Sequence, residues 1–427
     1  MKGISSFSTY SQNNVISIDI ENNLMFMHIV YICREYIPTR RGGGIASYLK
    51  EVAEYLVTLG HEVTVIAASD DTREEKIEIL NGVRVFRLSG GDFVIPSVEK
   101  TFLYRRFRTN YRYESYRRRI FECLKKLDNV DVIEVADYGA ESLYVDIDVP
   151  ITMRLHTSSL FDLTTQSLRK RTLRNFWFYK KMLKELDLIR TSQYITSCSE
   201  SMQNWVVDNL GVDPKNITVI RNPVNKNKLL SVEEENILSK GELNLVYVGT
   251  ICETKGCGEL VEAAKMIKTK YPNLHLWLFG KEGKWGVKLK EQNSHFDWIH
   301  VYGKIDRNLL FPIYRNADLI CLPSWWDNMP MTCIEGMMSG GLVLGSNSGG
   351  MAEVITEGIN GFLVHPKDSM ALAQAIANIL SLNEKKKLEI RKAAKEEAVS
   401  SYSTEVIVGK LLSYYQWVID DYRMSHS

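Results

Sequence analysis

The sequence predicts an α/β protein of two domains, each built on a parallel sheet. Three observations carry this. The chain has 427 residues, above the size at which one hydrophobic core usually divides. Short apolar runs alternate with segments of helical apolar spacing along most of its length. That alternation breaks at a polar stretch, residues 225–242, and then starts again. The expected division is a loosely held extension over 1–24, a first α/β domain over 25–224 and a linker over 225–242. A second α/β domain over 243–403 and a terminal helix over 404–427, packing back toward the first domain, complete it.

Composition narrows the class. Apolar residues make up 45% and charged residues 25%, ordinary proportions for a soluble globular protein. A formal net charge of +1 gives no overall pull toward nucleic acid. The seven cysteines form no Cys-x-x-Cys pair, and Cys252 and Cys257 have no histidine beside them. Reduced thiols and no metal centre are expected. No run approaches the roughly 18 apolar residues that span a bilayer. The first 23 residues are polar, with Lys2 their only basic residue, and make no secretory signal. A cytoplasmic protein is expected.

In the first domain, Met27–Ile32 forms a strand, followed by a loop that ends in Gly42-Gly43-Gly44. Ile45, Tyr48, Leu49, Val52, Ala53, Leu56 and Leu59 then recur at helical spacing. Gly60 ends that helix, His61 is read as facing solvent, and Val63–Ala67 is the second strand. Glycines at a helix start let a phosphate or sugar approach the free backbone N–H groups. Without a following Gly-Lys-Ser/Thr the turn is not a P-loop, and alone it is as consistent with a plain turn. Val83–Leu88 and Val130–Val135 are further strands. Ile151–Leu155 is another, and it ends on His156, where a parallel sheet opens its ligand crevice. His156 fits either a site or a structural role. Asp146-Ile147-Asp148 spells a metal-binding pattern, but at the entry of that strand, away from the crevice.

Between Phe102 and Leu127, basic residues from Arg105 to Lys126 interleave with Tyr and Phe, and Leu168–Lys184 repeats the theme. Such helices suit an anionic membrane surface, and equally a solvated face whose aromatics pack inward. Nucleic acid is not expected, because no RNA or DNA module accompanies the charge.

The second domain opens with strand Leu243–Val248 and a loop through Thr250 to Lys255-Gly256, before a helix. Lys255 is either a surface lysine or a phosphate partner. Strands Leu274–Phe279 and Trp298–Tyr302 follow, the latter ending at Gly303-Lys304-Ile305. The stretch Pro323–Glu353 then runs loop, helix, strand and glycine turn. Asp327 falls in the loop. Pro330 can start the helix, and Glu335 is placed about two turns into it. A helix start favours anions, whereas two carboxylates favour hydroxyls. A polyol carrying a phosphate satisfies both, which points to a sugar nucleotide.

These segments together resemble the GT-B retaining glycosyltransferases of family 4. The residues that carry the resemblance lie in the family's order. They are Arg41–Ile45 with Gly60–Val65, Arg154-Leu155-His156, Thr196–Glu200, Ile217–Val224, Val248-Gly249 with Lys255-Gly256, and Asp327 to Glu353. The resemblance implies two Rossmann-like domains facing each other across a cleft. It implies transfer of a sugar from a nucleotide-sugar donor, UDP most commonly, without a metal or other cofactor. It assigns catalytic positions to His156, Lys255 and Asp327. Donor binding falls to Gly43, Gly44, Thr250, Lys255, Gly303, Ile305, Met331, Thr332 and Glu335. Glu335 would hold the ribose, Asp327 the transferred sugar, and Lys255 the leaving diphosphate. The acceptor would be a saccharide or a lipid-linked saccharide. Two departures stand out: Thr250 replaces the usual arginine, and Asp327 replaces the usual glutamate. Two other readings stay open, a non-catalytic partner subunit of this fold and another GT-B enzyme such as a sugar-nucleotide epimerase.

Overall fold

The computed structural model describes residues 25–40, 43–70, 74–90, 102–156, 176–226 and 237–426, without the side chains of 102–112, 176–182 and 307–308. Arg41, Gly42, Thr157, Ser158, the whole expected extension and most of the expected linker therefore lie outside the described residues.

Two separate sheets confirm the α/β expectation. The first contains β1 (His28–Ile32), β2 (Glu62–Ala68), β3 (Lys76–Leu80), β4 (Val83–Leu88), β5 (Val132–Ala136), β6 (Ile151–Leu155), β7 (Tyr194–Ser197) and β8 (Ile217–Val219). Their spatial order is β3-β4-β2-β1-β5-β6-β7-β8, parallel throughout except for β3 against β4. Helices α1 (Gly44–Thr58), α2 (Phe102–Leu124), α3 (Phe176–Thr191) and α4 (Glu200–Leu210) connect them. The second sheet contains β9 (Leu243–Val248), β10 (Leu274–Phe279), β11 (Ile299–Gly303), β12 (Leu319–Leu322), β13 (Val343–Ser346) and β14 (Phe362–Val364). Its order is β11-β10-β9-β12-β13-β14, all parallel. Its helices are α5 (Cys257–Lys268), α6 (Lys284–Asn293), α7 (Arg307–Asn316), α8 (Met331–Met338), α9 (Met351–Val354), α10 (Ser369–Leu380) and α11 (Glu384–Tyr402). In each sheet the order reverses beside its first strand, between β1 and β5 and between β9 and β12. A crevice for a ligand forms at the carboxyl ends of the strands at such a switch point.

The terminal helix α12 (Thr404–His426) returns to the first domain. Ile407, Leu411, Tyr415 and Val418 are buried in one core with Val52, Leu56 and Val65. The chain therefore passes between the domains twice. The two passages touch, since Val224 and Ser403 form a parallel bridge and the Val224 N–H donates to the Tyr402 carbonyl at 2.8 Å.

Two expectations need correction, and one strand is additional. His61 is only 5% exposed, and its Nδ1 accepts from the Met27 N–H at 3.3 Å, so it does not face solvent. Glu335 is the fifth residue of α8, little more than one turn in. Strand β3 was not expected at all. The basic helix α2 is also partly internal. Arg117 is buried and donates through Nε to the Gly139 carbonyl at 3.1 Å, while Arg119 pairs with Glu75. Tyr113 and Tyr116 pack inward. The basic residues before Tyr113 and most of the second stretch lie outside the described side chains. Among the described residues no helix is long and apolar enough to cross a membrane.

Candidate active site

The phosphate-side loop is shaped by glycine. Strands β9 and β10 are followed directly by Gly249 and Gly280, where the backbones come so close that a Cβ on Gly280 would lie 1.7 Å from the Gly249 oxygen. Gly280 has φ +145°, open to glycine and rare for any other residue. The chain then passes exposed Thr250, whose carbonyl accepts from the Tyr247 hydroxyl at 2.8 Å. A short 3₁₀ turn, Glu253–Lys255, leads through left-handed Gly256 into α5. A Cβ on Gly256 would meet the Pro323 oxygen at 2.1 Å, so this turn is pressed against the start of the Pro323–Glu353 stretch.

That closeness brings Lys255 to Asp327. Lys255 Nζ donates to Asp327 Oδ2 at 2.6 Å, and both side chains are about one-quarter to one-third exposed. Burial works against the ammonium charge, but the Asp327 carboxylate outweighs it and holds Lys255 above the ordinary lysine range. The Asp327 loop rests on the glycine turn below it. The Gly350 N–H donates to the Asp327 carbonyl at 2.8 Å, and a Cβ on Gly349 would lie 2.3 Å from that same oxygen.

Helix α8 starts directly after this loop. The amides of Met331, Cys333 and Ile334 donate to the carbonyls of Met329 and Pro330, while Met331 and Thr332 are half-buried. Glu335 is buried and accepts from the Tyr314 hydroxyl of α7 at 3.2 Å. Gly303 ends β11 with φ +84°, its carbonyl accepting from Gly280 N–H at 2.7 Å, and half-buried Ile305 follows.

The first domain supplies the facing wall. His156 follows β6 directly and is 6% exposed. Burial, with the positive Arg154 beside it, pushes its imidazole well below the usual histidine range, so the neutral ring is favoured. Its ring meets the Tyr48 ring edge-on at 4.9 Å. Tyr48 stands one turn along α1 from Gly43 and Gly44, which places the open start of that helix near His156. Among the described residues nothing lies within 4 Å of a Cβ on Gly44.

Beneath this wall is a buried polar network that links β5, β6, α1 and α12. Glu134 accepts from Tyr415 Oη at 2.7 Å and Tyr48 Oη at 3.2 Å. The Arg154 guanidinium lies 4.4 Å from the Tyr48 ring and donates to Asn222 Oδ1 at 2.9 Å. A charged residue inside an otherwise apolar strand, Glu134 in β5 and Arg154 in β6, is the sequence signal for this network.

Two contacts across the cleft could not be foreseen from sequence. Asn328 Nδ2 donates to the His156 carbonyl at 2.7 Å. Glu353 of α9 accepts from the backbone N–H groups of Glu200 and Ser201, at the start of α4, and from Arg221. Asn328, next to Asp327 in the same loop, thus contacts His156 directly, and Lys255 is joined to that loop through Asp327. Among the described residues no group of three or more His, Cys, Asp or Glu could hold a metal.

Comparison with known proteins agrees with this layout. The profile of Glycosyl transferases group 1 matches residues 231–397, and that of Glycosyltransferase Family 4 matches residues 42–228. A glycogen synthase of Mycobacterium tuberculosis is 23% identical over 383 residues, covering 83% of this chain and 86% of its own. Among solved structures, sucrose-phosphate synthase from Thermosynechococcus elongatus has TM-score 0.75 at 18% identity, covering 92% of this chain and 100% of its own. Anabaena HepE in complex with UDP-glucose has TM-score 0.65 at 16% identity, covering 91% and 99%. With both domains matched in order and two facing Rossmann-like sheets in place, the chain belongs to the family 4 glycosyltransferases of GT-B fold.

Proposed function

We propose that the protein is a retaining glycosyltransferase that moves a sugar from a nucleotide-sugar donor, a UDP-sugar by preference, to a saccharide or lipid-linked saccharide. The observation that carries this is the Lys255–Asp327 pair at 2.6 Å, formed at the loop that leads into α8 and whose Asn328 donates to the His156 carbonyl. An ammonium and a carboxylate side by side suit a diphosphate and a sugar bound next to each other. The HepE structure with UDP-glucose supports a donor of that class.

In the proposed reaction the bond between the anomeric carbon and the donor phosphate oxygen breaks, and the acceptor hydroxyl oxygen bonds that carbon on the same face. The acceptor proton passes to the departing phosphate oxygen, so no protein base is required. Lys255 stabilises charge that grows on the diphosphate, a term that is often the largest in such catalysis. Asp327 holds sugar hydroxyls, and Glu335, oriented by Tyr314, holds the ribose. The Thr332 N–H, with the Gly43 and Gly44 backbone N–H groups from the opposite domain, donates to phosphate or sugar oxygens, and the Gly303–Ile305 backbone borders the base. Neutral His156 donates or accepts a hydrogen bond at the sugar. We place the reaction in the cytoplasm, on glycan precursors for the cell surface.

The test is a screen of nucleotide sugars for hydrolysis and transfer, with the anomeric configuration of the product read by NMR. Turnover with retention is expected, together with loss of about 10²–10³-fold in Lys255→Ala. Absence of turnover in the purified chain would favour a binding subunit, and turnover of donor to an isomeric sugar nucleotide without acceptor would favour an epimerase.

A further inference from the structure

A second cavity lies outside the cleft, on the helical flank of the second domain between α5 and α6. Its volume is about 510 Å³, within the roughly 300–1,000 Å³ of small-molecule sites. Two indoles line it, Trp285 near the start of α6 and Trp325 from the loop before Asp327. Neither Lys255, Asp327 nor Glu335 does.

The polar groups at its wall identify its chemistry. Of its three glutamates, Glu259 accepts from Trp325 Nε1 at 2.7 Å, Glu262 is paired with Lys265 at 2.9 Å, and Glu253 is exposed. Asn293, at the end of α6, is 4% exposed and also lines the cavity. Its Nδ2 donates to the Leu289 carbonyl at 2.8 Å, but its Oδ1 has no partner among the described residues. A buried amide oxygen without a donor is costly, which makes it a feature to be explained. It asks for a hydroxyl or an N–H. Acidic walls exclude a phosphate or an anionic lipid headgroup. A small cation would call for a buried, unpaired carboxylate, whereas Glu259 and Glu262 are already engaged and Glu253 is exposed to solvent. Aromatic walls with neutral acceptors and a few carboxylate oxygens suit the C–H faces and hydroxyls of a sugar ring.

We propose that this flank is a second carbohydrate site, which binds a neutral oligosaccharide apart from the transfer cleft. Trp325 ties the two regions together without sharing ligands. Its backbone N–H donates to the Thr254 carbonyl at 2.9 Å, next to Lys255, and its carbonyl accepts from Ser348 Oγ at 2.8 Å.

The experiment is isothermal titration of the full chain with maltohexaose, cellohexaose and laminarihexaose, with tetramethylammonium chloride as the cation probe. Gly258 supplies a variant that fills the space without disturbing the core. A Cβ there would be in ordinary contact, 3.5 Å from the Trp285 ring, with the rest of a leucine occupying the cavity. At least one hexasaccharide binds the wild-type chain, and Gly258→Leu and Asn293→Leu each weaken it by at least about tenfold while melting temperatures stay close to wild type. The proposal is overturned if no hexasaccharide binds, if Gly258→Leu binds as well as wild type, or if only tetramethylammonium binds. Because the readout is binding without a donor, its failure leaves the proposed transfer reaction standing, and the reverse also holds.

Discussion

Asn328 Nδ2 donates to the backbone carbonyl of His156 at 2.7 Å and so joins the two faces of the cleft through residues 172 positions apart. The amide is itself held, because its Oδ1 accepts from Trp326 Nε1 at 2.9 Å. Replacing Asn328 by alanine leaves the His156 carbonyl without this donor, in a position only 8% exposed on the asparagine side. A cost of about 1–3 kcal/mol is expected in chemical unfolding. Asn328→Asp turns a donor into an acceptor that faces another acceptor, and should lose more than alanine does. Equal stability of the two variants would show that this contact does not hold the domains.

Glu353 offers a second test of closure. Its Oε1 accepts from the Ser201 N–H at 2.7 Å and the Ser201 hydroxyl at 2.6 Å, and its Oε2 from the Glu200 N–H and Arg221, both at 2.9 Å. A carboxylate from one domain therefore caps a helix of the other, where free N–H groups and the helix dipole favour negative charge. Glu353→Gln removes the charge and leaves a single acceptor oxygen. Hydrogen exchange at the Glu200 and Ser201 amides should accelerate, with a loss of about 1–2 kcal/mol. Unchanged protection there would mean that the first turn of α4 is satisfied in another way.

The sequence shows the parallel strands and the glycine turns clearly, because buried β-strands are apolar runs and Gly256, Gly280 and Gly349 sit at forced approaches. It hides β3, whose Ile77 and Ile79 are 66% and 73% exposed on a sheet edge, so alternation there marks no buried face. His61 looked exposed by residue type, yet an acceptor nitrogen for the Met27 N–H is enough to bury it. Asp327 and Glu335 were legible as a spaced acidic pair. The grip of Asn328 on His156, and of Glu353 on α4, was not, since nothing local encodes a partner more than a hundred residues away.

Lys255 and Glu335 should separate in kinetics. Charge on the leaving diphosphate exists fully only as the bond breaks, so Lys255→Ala lowers kcat with little change in donor KM. Ribose contacts are the same in ground and transition states, so Glu335→Gln raises donor KM while kcat is nearly kept. Tyr314→Phe removes the hydroxyl that orients Glu335 and should raise donor KM by a few-fold. Identical kinetic signatures for the lysine and glutamate variants would remove the division of roles.

His156 predicts a pH dependence of stability with a definite sign. In the fold its pKa is pushed well below the ordinary value by burial and by Arg154, whereas in the unfolded chain it returns to about 6.5. Above about pH 6.5 both states hold the neutral ring, and the group contributes nothing to the slope. Below that, the unfolded chain takes up a proton that the folded chain refuses. Stability therefore falls as pH drops through about 6.5 and keeps falling until the folded pKa is reached, by up to about 1.4 kcal/mol per pH unit. Urea unfolding of wild type and His156→Gln across about pH 5–8 isolates the term. The glutamine variant, with nothing to protonate at this position, should show a shallower decline on the acid side. Parallel curves for the two proteins would mean that the folded His156 accepts its proton as readily as the unfolded one, and the neutral ring assigned to the cleft would have to be abandoned.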